Sequence, residues 1–174
     1  MLEASLSDLI VAVRAQGLEG LIAKRKDSLY EVGRRSDVWQ KMRTNQGQEF
    51  VIAGYTKAPG NFDALIFGYY DDGKLKFAGK TRNGFTPTTR NQLMKRFKDM
   101  EIPECPFVGL PEKRAGRWGQ GITAEKMKDC VWLRPEIVGH FEFVEWTPDH
   151  HLRHSKFIAL REDKKARDVR REEG

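Results

Sequence analysis

Hydrophobic and polar positions alternate over many short stretches of this chain, a pattern typical of β-strands. Residues 57–63, which contain Pro-Gly-Asn, predict a loop, and Asp71-Asp72-Gly73 predicts a tight hairpin turn that needs positive φ angles. Phe157-Ile158-Ala159-Leu160 predicts a further, buried strand near the C-terminus. The other predicted strands are Glu49–Thr56, Ala64–Tyr70, Lys74–Arg82, Val131–Pro135 and Val138–Trp146, the last with a bulge or side switch near Val144.

Two amphipathic helices complete a fold that is mainly β with helices. Residues 5–16 carry apolar side chains at helical spacing, and Ser5 or Ser7 is suited to cap the first turn. The second helix follows Thr86, with Pro87 in its first turn. Its predicted buried stripe consists of Leu93, Phe97 and Met100.

Composition favours a polyanionic partner. The 174 residues include 31 Lys and Arg against 25 Asp and Glu, which gives a net charge of +6. No apolar run approaches the roughly 18 residues of a membrane span, so no membrane partner is expected. Cys105 and Cys130 lack CxxC spacing and are expected to be reduced thiols in a cytosolic protein, with a disulfide between them as the alternative.

A cluster of charges follows the last predicted strand, at Arg161-Glu162-Asp163-Lys164. Two neighbouring cations are unfavourable unless an anion receives them. Arg161 offers a planar fork and Lys164 a mobile point charge, which together suit a polyphosphate, while Asp163 is placed to orient one cation. The alternative is a solvated strand end of mixed charge.

A second cationic cluster lies upstream, at Trp39-Gln40-Lys41-Met42-Arg43. In a strand, positions 39, 41 and 43 project to one face, where Lys41 and Arg43 can neutralise a phosphate; a basic sheet edge is the alternative. Glu19 precedes a glycine at a strand start, where a carboxylate can hold a hydrated divalent cation. An ordinary surface glutamate is the alternative for that position.

Two basic segments are candidates for nucleic-acid contact. Lys74, Lys76, Lys80 and Arg82 are predicted to share one strand face, spaced ~6–7 Å apart, where they can follow a phosphate backbone. Residues 113–121 form a Gly-rich basic loop in which Arg117 is suited to phosphates and Trp118 to stacking. A solvated strand and an ordinary flexible loop are the respective alternatives. His150, His151 and His154 lack the ligand spacing of a metal site.

These segments resemble the motifs of a known superfamily. Glu19–Lys24, Trp39–Arg43 and Arg161–Lys164 are similar to the fourth, fifth and sixth motifs of covalent nucleotidyltransferases, in the order and spacing of ATP-dependent DNA ligases. Four further segments resemble the ligase module of bacterial DNA ligase D, which serves non-homologous end joining. They are Gln48–Thr56, Phe67–Tyr70, Glu142–Thr147 and Leu152–Ser155. One departure is Arg43, where the family has a second lysine.

The resemblance implies an OB-fold barrel preceded by a fragment of the nucleotidyltransferase domain. In that scheme Lys41 and Arg43 contact AMP and its phosphate, and Arg161 and Lys164 orient the pyrophosphate of ATP. Glu19 supports Mg²⁺ or Mn²⁺. Lys80, Arg82, Arg117 and Trp118 are assigned to DNA. The implied partners are ATP and nicked or broken double-stranded DNA in the bacterial cytoplasm at the nucleoid, with a Ku-like protein left open.

The family's first motif, Lys-x-Asp-Gly, is missing from this sequence. The only Asp-Gly is Asp72-Gly73, and Tyr70 stands where the motif needs a lysine. Covalent catalysis needs that lysine as nucleophile, so we expect the C-terminal part of a larger ligase, inactive alone. The predicted domains are residues 1–45 (nucleotidyltransferase fragment), 46–165 (OB fold) and 166–174 (flexible tail), with a hinge near residues 44–47. A non-catalytic DNA-binding OB module is the alternative function. Capping guanylyltransferases share the motif plan but not Gln48–Thr56 and Glu142–Thr147.

Overall fold

A computed structural model describes residues 5–16, 18, 20–24, 27, 39–43, 45–117 and 119–172. The chain forms two compact units, the first ending at Asn45 and the second beginning at Gln46. The boundary after Asn45 coincides with the end of the predicted first domain. The identity of that domain stays a prediction. Within the described part of the chain, no helix is both long and apolar enough to cross a membrane.

The first unit contains one helix and one pair of strands. Helix α1 spans Leu6–Ala15, as predicted, and the Ser5 hydroxyl caps it by accepting a hydrogen bond from the Asp8 amide at 3.2 Å. Strands β1 (Gly20–Lys24) and β2 (Trp39–Arg43) pair antiparallel. The fourth and fifth motif segments therefore form one two-stranded sheet.

The second unit is an antiparallel β-structure with short helices. Its main sheet has the order β10-β7-β3-β4-β5, with β6 paired to β7, and β8 and β9 form a separate pair. This arrangement is consistent with the predicted OB fold. The strands are β3 (Gln46–Ala58), β4 (Asn61–Asp71), β5 (Lys74–Thr81), β6 (Glu101–Ile102), β7 (Cys130–Phe143), β8 (Glu145–Trp146), β9 (Leu152–Arg153) and β10 (Lys156–Leu160). The helices are α2 (Pro87–Phe97), α3 (Ala124–Met127) and a 3-10 turn at Ala166–Asp168.

Aromatic side chains fill the core of this unit. The ring of Phe67 lies 5.3 Å from that of Phe50 and 4.1 Å from that of Phe141, which joins strands β4, β3 and β7. Phe97 of α2 stacks on Tyr55 at 5.7 Å. Each buried aromatic ring removes a large apolar area from water, so this cluster supplies much of the stability of the sheet.

Turn chemistry fixes the two central hairpins. Asp72 and Gly73 both have positive φ, 52° and 70°, as the predicted β4–β5 turn requires. The predicted loop over residues 57–63 is wrong, because β3 and β4 pair as far as Ala58 and Asn61 and only Pro59 and Gly60 remain as the turn. A turn residue with φ of +71° at Gly60 allows the strands to continue that far.

Strand β7 joins the predicted strands Val131–Pro135 and Val138–Trp146 into one strand, which ends at Phe143. A register shift opposite β3 between Ile52 and Gly54 absorbs the extra residues as a bulge. At Val144, where a bulge or side switch within the strand is predicted, the strand itself is interrupted: β7 ends at Phe143, and β8 pairs with β9 instead. Strand β10 lies at the end of the strand order, so it is an edge strand, and Phe157 is its one fully buried residue.

A bulge in β5 removes the predicted row of four cations. Lys76 lies opposite Tyr69 and Lys80 opposite Ile66, and the register shifts between these pairs. Positions 66 and 69 of β4 are three residues apart and point to opposite faces, so Lys76 and Lys80 do so too. The predicted row required side chains to alternate between the two faces along the whole of β5, and the bulge interrupts that alternation.

The predicted flexible tail is also wrong as far as Glu172. Val169 is 2 % exposed, and its carbonyl accepts a hydrogen bond from the Tyr70 amide at 2.9 Å. The buried Gln48 amide group donates to the Arg170 carbonyl at 2.9 Å and accepts from the Glu172 amide at 3.1 Å. Two buried apolar side chains, Ala166 and Val169, and one buried amide therefore order a segment of polar composition.

Substitution of Gly68 tests the bulge. A Cβ atom at this position would lie 1.9 Å from the Lys76 carbonyl oxygen, so Gly68→Ala should lower the free energy of unfolding by about 1–3 kcal/mol. Gly79→Ala is the matched control, because its Cβ atom would meet nothing closer than the Phe67 ring at 3.4 Å. Urea denaturation measures both, and equal stability of the two variants would contradict the close approach.

Candidate nucleotide and nucleic-acid sites

The tetrapeptide Arg161–Lys164 begins where the edge strand β10 ends. The backbone amide of Arg161 donates to the Val138 carbonyl at 2.8 Å, which extends the pairing with β7 by one residue. The chain then turns, and the four charged side chains of the tetrapeptide extend towards different partners.

Arg161 is held by carboxylates on two sides. Its Nε and Nη2 atoms donate to the two Asp163 oxygens, each at 3.0 Å, so Asp163 orients this cation as predicted. Its Nη1 atom donates to Glu49 Oε1 at 2.7 Å. The adjacent guanidinium lowers the pKa of the exposed Asp163 carboxyl to about 2.

Glu49 of β3 receives both cations of the tetrapeptide. Its Oε2 atom lies 3.4 Å from the Lys164 ammonium, while Oε1 binds Arg161. Strand β7 lies between β3 and β10, so these side chains meet across it. The side chain of Glu49 is 13 % exposed, against 38 % for Arg161 and 36 % for Lys164. The carboxylate is therefore shielded while both cations remain accessible to an anion in solvent.

The ionised form of Glu49 is favoured despite its position. Burial alone would raise the pKa of this carboxyl. A backbone hydrogen bond and the charges of Lys164 and Arg161 together outweigh burial and hold the pKa below its usual value. His140, the cross-strand neighbour of Glu49, lies 3.6 Å away through its Nδ1 atom.

Glu162 turns away from the other three charges of the tetrapeptide. It forms a two-pronged ion pair with Arg96 of α2, in which Nη2 and Oε2 are 3.0 Å apart. The tetrapeptide is thus fastened to the helix on one side and to β3 on the other. Arg161 and Lys164 consequently present their charges from a fixed place, which suits the binding of phosphate oxygens.

The upstream candidates lie in the first unit. Lys41 and Arg43 are on β2, opposite Ile22 and Gly20 of β1. Glu19, the metal candidate, lies outside the described residues. The described residues contain no group of three or more His, Cys, Asp and Glu side chains with the geometry to hold a metal ion.

A basic cleft of about 620 Å³ opens elsewhere on the second unit, lined by Lys57, Lys80 and Lys126 among others. Among the residues that the structure describes, no carboxylate oxygen lies within 4.0 Å of these three ammonium groups. Burial, and next the neighbouring charge of Lys126, lower the pKa of Lys80. Asp63 and Asp129 also line this cleft, but Asp63 is paired with Arg82. The three ammonium groups therefore remain available to an anion.

The other predicted DNA contacts differ from one another. The Arg82 guanidinium is engaged by Asp63, with Nε 2.9 Å from both carboxylate oxygens and Nη2 2.8 Å from Oδ2. Arg117 lies exposed on its loop. Trp118 lies outside the described residues. Lys80 and Arg82 both line the basic cleft; Arg82 is paired with Asp63 there, whereas Lys80 has no carboxylate within 4.0 Å among the described residues.

The histidines and cysteines have structural surroundings. His151 is 5 % exposed and lies 2.7 Å from Glu112 through its Nε2 atom, and its ring packs against Phe77. Cys105 and Cys130 are free thiols. Burial raises the pKa of Cys130 to about 11, which leaves it protonated and weakly reactive at neutral pH.

Comparison with known proteins gives these groups their context. The model of the ATP dependent DNA ligase C terminal region matches residues 58–164. This chain belongs to that family. It is 32 % identical over 168 residues to the multifunctional non-homologous end joining protein LigD of Pseudomonas aeruginosa, and 35 % identical over 164 residues to LigD of Mycobacterium tuberculosis H37Rv. These alignments cover 93 % and 91 % of the chain but only 19 % and 20 % of the relatives.

Solved structures agree with this assignment. The crystal structure of the ligase domain from M. tuberculosis LigD matches with a TM-score of 0.64 and 31 % identity, over 98 % of this chain and 53 % of that one. A mycobacterial DNA ligase D complexed with ATP and MES matches with a TM-score of 0.62 and 32 % identity, over 98 % and 52 %. The predicted resemblance to the ligase domain of ligase D is therefore confirmed.

Two charged residues of this ligase region escaped the sequence argument. Glu49 stands directly before the apolar run Phe50–Ala53 of β3, and a carboxylate at such a place signals a distant cation as partner. Lys126 lies in the short helix α3, where nothing in the local sequence relates it to Lys80. Both residues have neighbours that are distant in the sequence. Glu49 carries a sequence signal because its carboxylate stands beside an apolar run, whereas Lys126 carries none.

The lowered pKa of Glu49 predicts how the stability of the ligase region depends on pH. A carboxyl whose pKa falls on folding contributes stability above its ordinary value near 4.5, and loses it as the pH falls through the folded value. Glu49→Gln should therefore lower the free energy of unfolding by about 1–2 kcal/mol at pH 7. The difference from the native protein should shrink below pH 4.5 in urea titrations; a constant difference down to pH 3 would contradict it.

Proposed function

We propose that this chain is the C-terminal part of an ATP-dependent DNA ligase, which orients the pyrophosphate of ATP for lysine adenylylation and binds DNA. The observation that supports this most is the pair of accessible cations, Arg161 and Lys164, anchored on one carboxylate in a chain of this ligase family. Their fork and point charge suit the oxygens of a leaving pyrophosphate.

The proposed reaction has three steps, and this chain contributes to the first through charge and position. A lysine of the first motif attacks the α-phosphate of ATP, its bond to AMP forms, and the bond to pyrophosphate breaks. Arg161 and Lys164 neutralise the departing pyrophosphate, and Lys41 and Arg43 contact AMP. Phosphoryl transfer depends mainly on such positioning and charge neutralisation. Transfer of AMP to a DNA 5′-phosphate and attack by the 3′-hydroxyl follow.

Two further parts of the proposal concern the ligase as a whole. The chain contains no Lys-x-Asp-Gly sequence, so alone it should not form a lysine–AMP bond. Glu19, with Mg²⁺ or Mn²⁺, supports the triphosphate, and residues 44–47 form the hinge between the units. The ligase repairs nicked or broken double-stranded DNA in the bacterial cytoplasm at the nucleoid, in non-homologous end joining, with a Ku-like protein as a candidate partner.

Adenylylation tests the role of the cation pair. The chain is joined to a preceding segment that supplies Lys-x-Asp-Gly, and labelled AMP on the lysine is measured. Arg161→Ala and Lys164→Ala should each slow this step by about 100-fold, because the leaving group loses a charge partner. Binding to nicked DNA should change less than about twofold.

Lys165→Ala is the matched control, since it removes an adjacent exposed charge with no ion pair among the described residues. It should leave adenylylation unchanged. If Arg161→Ala and Lys164→Ala adenylylate at the native rate, the assigned role is wrong, and the non-catalytic DNA-binding module becomes the better interpretation.

The basic cleft carries the DNA-binding part of the proposal. Lys80→Met combined with Lys126→Met should weaken binding of the chain to a nicked duplex by about tenfold at low salt, because two counterion-releasing contacts are removed. The slope of log affinity against log salt should fall by about 1 to 2. Fluorescence anisotropy measures both, with Lys74→Met combined with Lys98→Met as the control, since it removes the same number of charges from exposed positions. Equal effects of the control and the Lys80 and Lys126 double variant would assign binding to net charge alone.

A further inference from the structure

We propose that Glu49 is the internal counter-anion of Arg161 and Lys164, and that it sets the affinity of this pair for a polyphosphate. The inference rests on the proposed function of the pair as receiver of pyrophosphate. It adds a specificity-determining residue that lies on another strand, 112 and 115 residues away from the cations it controls.

The geometry distinguishes Glu49 from the other carboxylates near the pair. Asp163 lies two residues from Arg161 and moves with it, whereas Glu49 is fixed in β3. Among the described residues, Glu49 is also the carboxylate within 4.0 Å of the Lys164 ammonium. One anchored side chain thus holds both cations, one through each oxygen.

Exposure decides how a polyphosphate meets this arrangement. The Glu49 side chain is 13 % exposed and faces inward, while both cations are more than a third exposed. An incoming anion therefore reaches the cations from the solvent side, where Asp163 occupies the Nε edge of Arg161. It does so with the negative charge of Glu49 directly behind them.

Charge balance then determines the affinity. Two cations face two carboxylates, Glu49 and Asp163, so the pair is neutralised before any ligand arrives. A polyphosphate must compete with Glu49 for the same hydrogen-bond donors and is repelled by its charge. This weakens retention of pyrophosphate and allows Glu49 to take the cations back when it leaves.

Inorganic tripolyphosphate is the probe for this proposal, titrated into the chain itself at low salt by calorimetry. Glu49→Gln removes the charge but keeps an acceptor oxygen of the same reach. Its dissociation constant should be about tenfold lower than that of the native chain. Glu145→Gln removes the same charge from a carboxylate that binds Arg153 on the neighbouring strand β9, and should change the constant less than about twofold.

Glu49→Asp is a second variant, which keeps the charge on β3 but withdraws it from the cations by one methylene. It should bind tripolyphosphate about threefold more tightly than the native chain. Circular dichroism and the ¹⁵N signal of Arg161 Nε establish that each variant is folded and that the environment of the guanidinium has changed.

The outcomes separate this inference from the proposed function. If folded Glu49→Gln and Glu49→Asp bind no more tightly than the native chain, while Arg161→Ala binds more weakly, the counter-anion role is overturned and the cation pair stands. The same holds if Glu145→Gln tightens binding as much as Glu49→Gln. If Arg161→Ala and Lys164→Ala leave tripolyphosphate affinity unchanged, the proposed function itself fails.

Discussion

The ion pairs between Glu49 and the cations of the sixth motif connect the beginning of the second unit to its end. They require strands β3, β7 and β10 to lie in that order, since the carboxylate reaches its partners across β7. They also require neutralisation, because a carboxylate that is 13 % exposed is costly without a counter-charge. Sheet order and charge balance thus depend on each other at the place where a nucleotide is proposed to bind.

Lysine and arginine side chains of this unit occur in two different electrostatic surroundings. At the tetrapeptide, each of the four charged side chains has a partner of opposite charge, and the segment is tied to both β3 and α2. In the cleft around Lys80 and Lys126, the two ammonium groups lie near each other, and no carboxylate oxygen of the described residues lies within 4.0 Å of either. The first arrangement fixes geometry for a specific group, and the second leaves charge available to a polyanion.

The bulge in β5 shows how one residue redistributes such charges. Because of the bulge, Lys76 and Lys80 lie on opposite faces of the sheet. Lys76 lines a second cleft together with Asp71, and Lys80 lines the basic cleft together with Lys126. Lys76 pairs with Asp71 at 2.7 Å, while Lys80 has no carboxylate partner in the described chain. Gly68 makes the bulge possible, because the Lys76 carbonyl occupies the space of its missing Cβ atom.

Local sequence determined the features that local physics controls. The caps at Ser5 and Thr86, the turn at Asp72-Gly73 and the family motifs were all readable, since each depends on neighbours within a few residues. Tertiary structure decided that Glu49 is the partner of Arg161 and Lys164, and that Lys80 lies near Lys126. It also decided that residues 166–172 are ordered by contacts with Gln48. These contacts join residues tens of positions apart, and no local periodicity encodes which distant side chain completes a charge or a hydrogen bond.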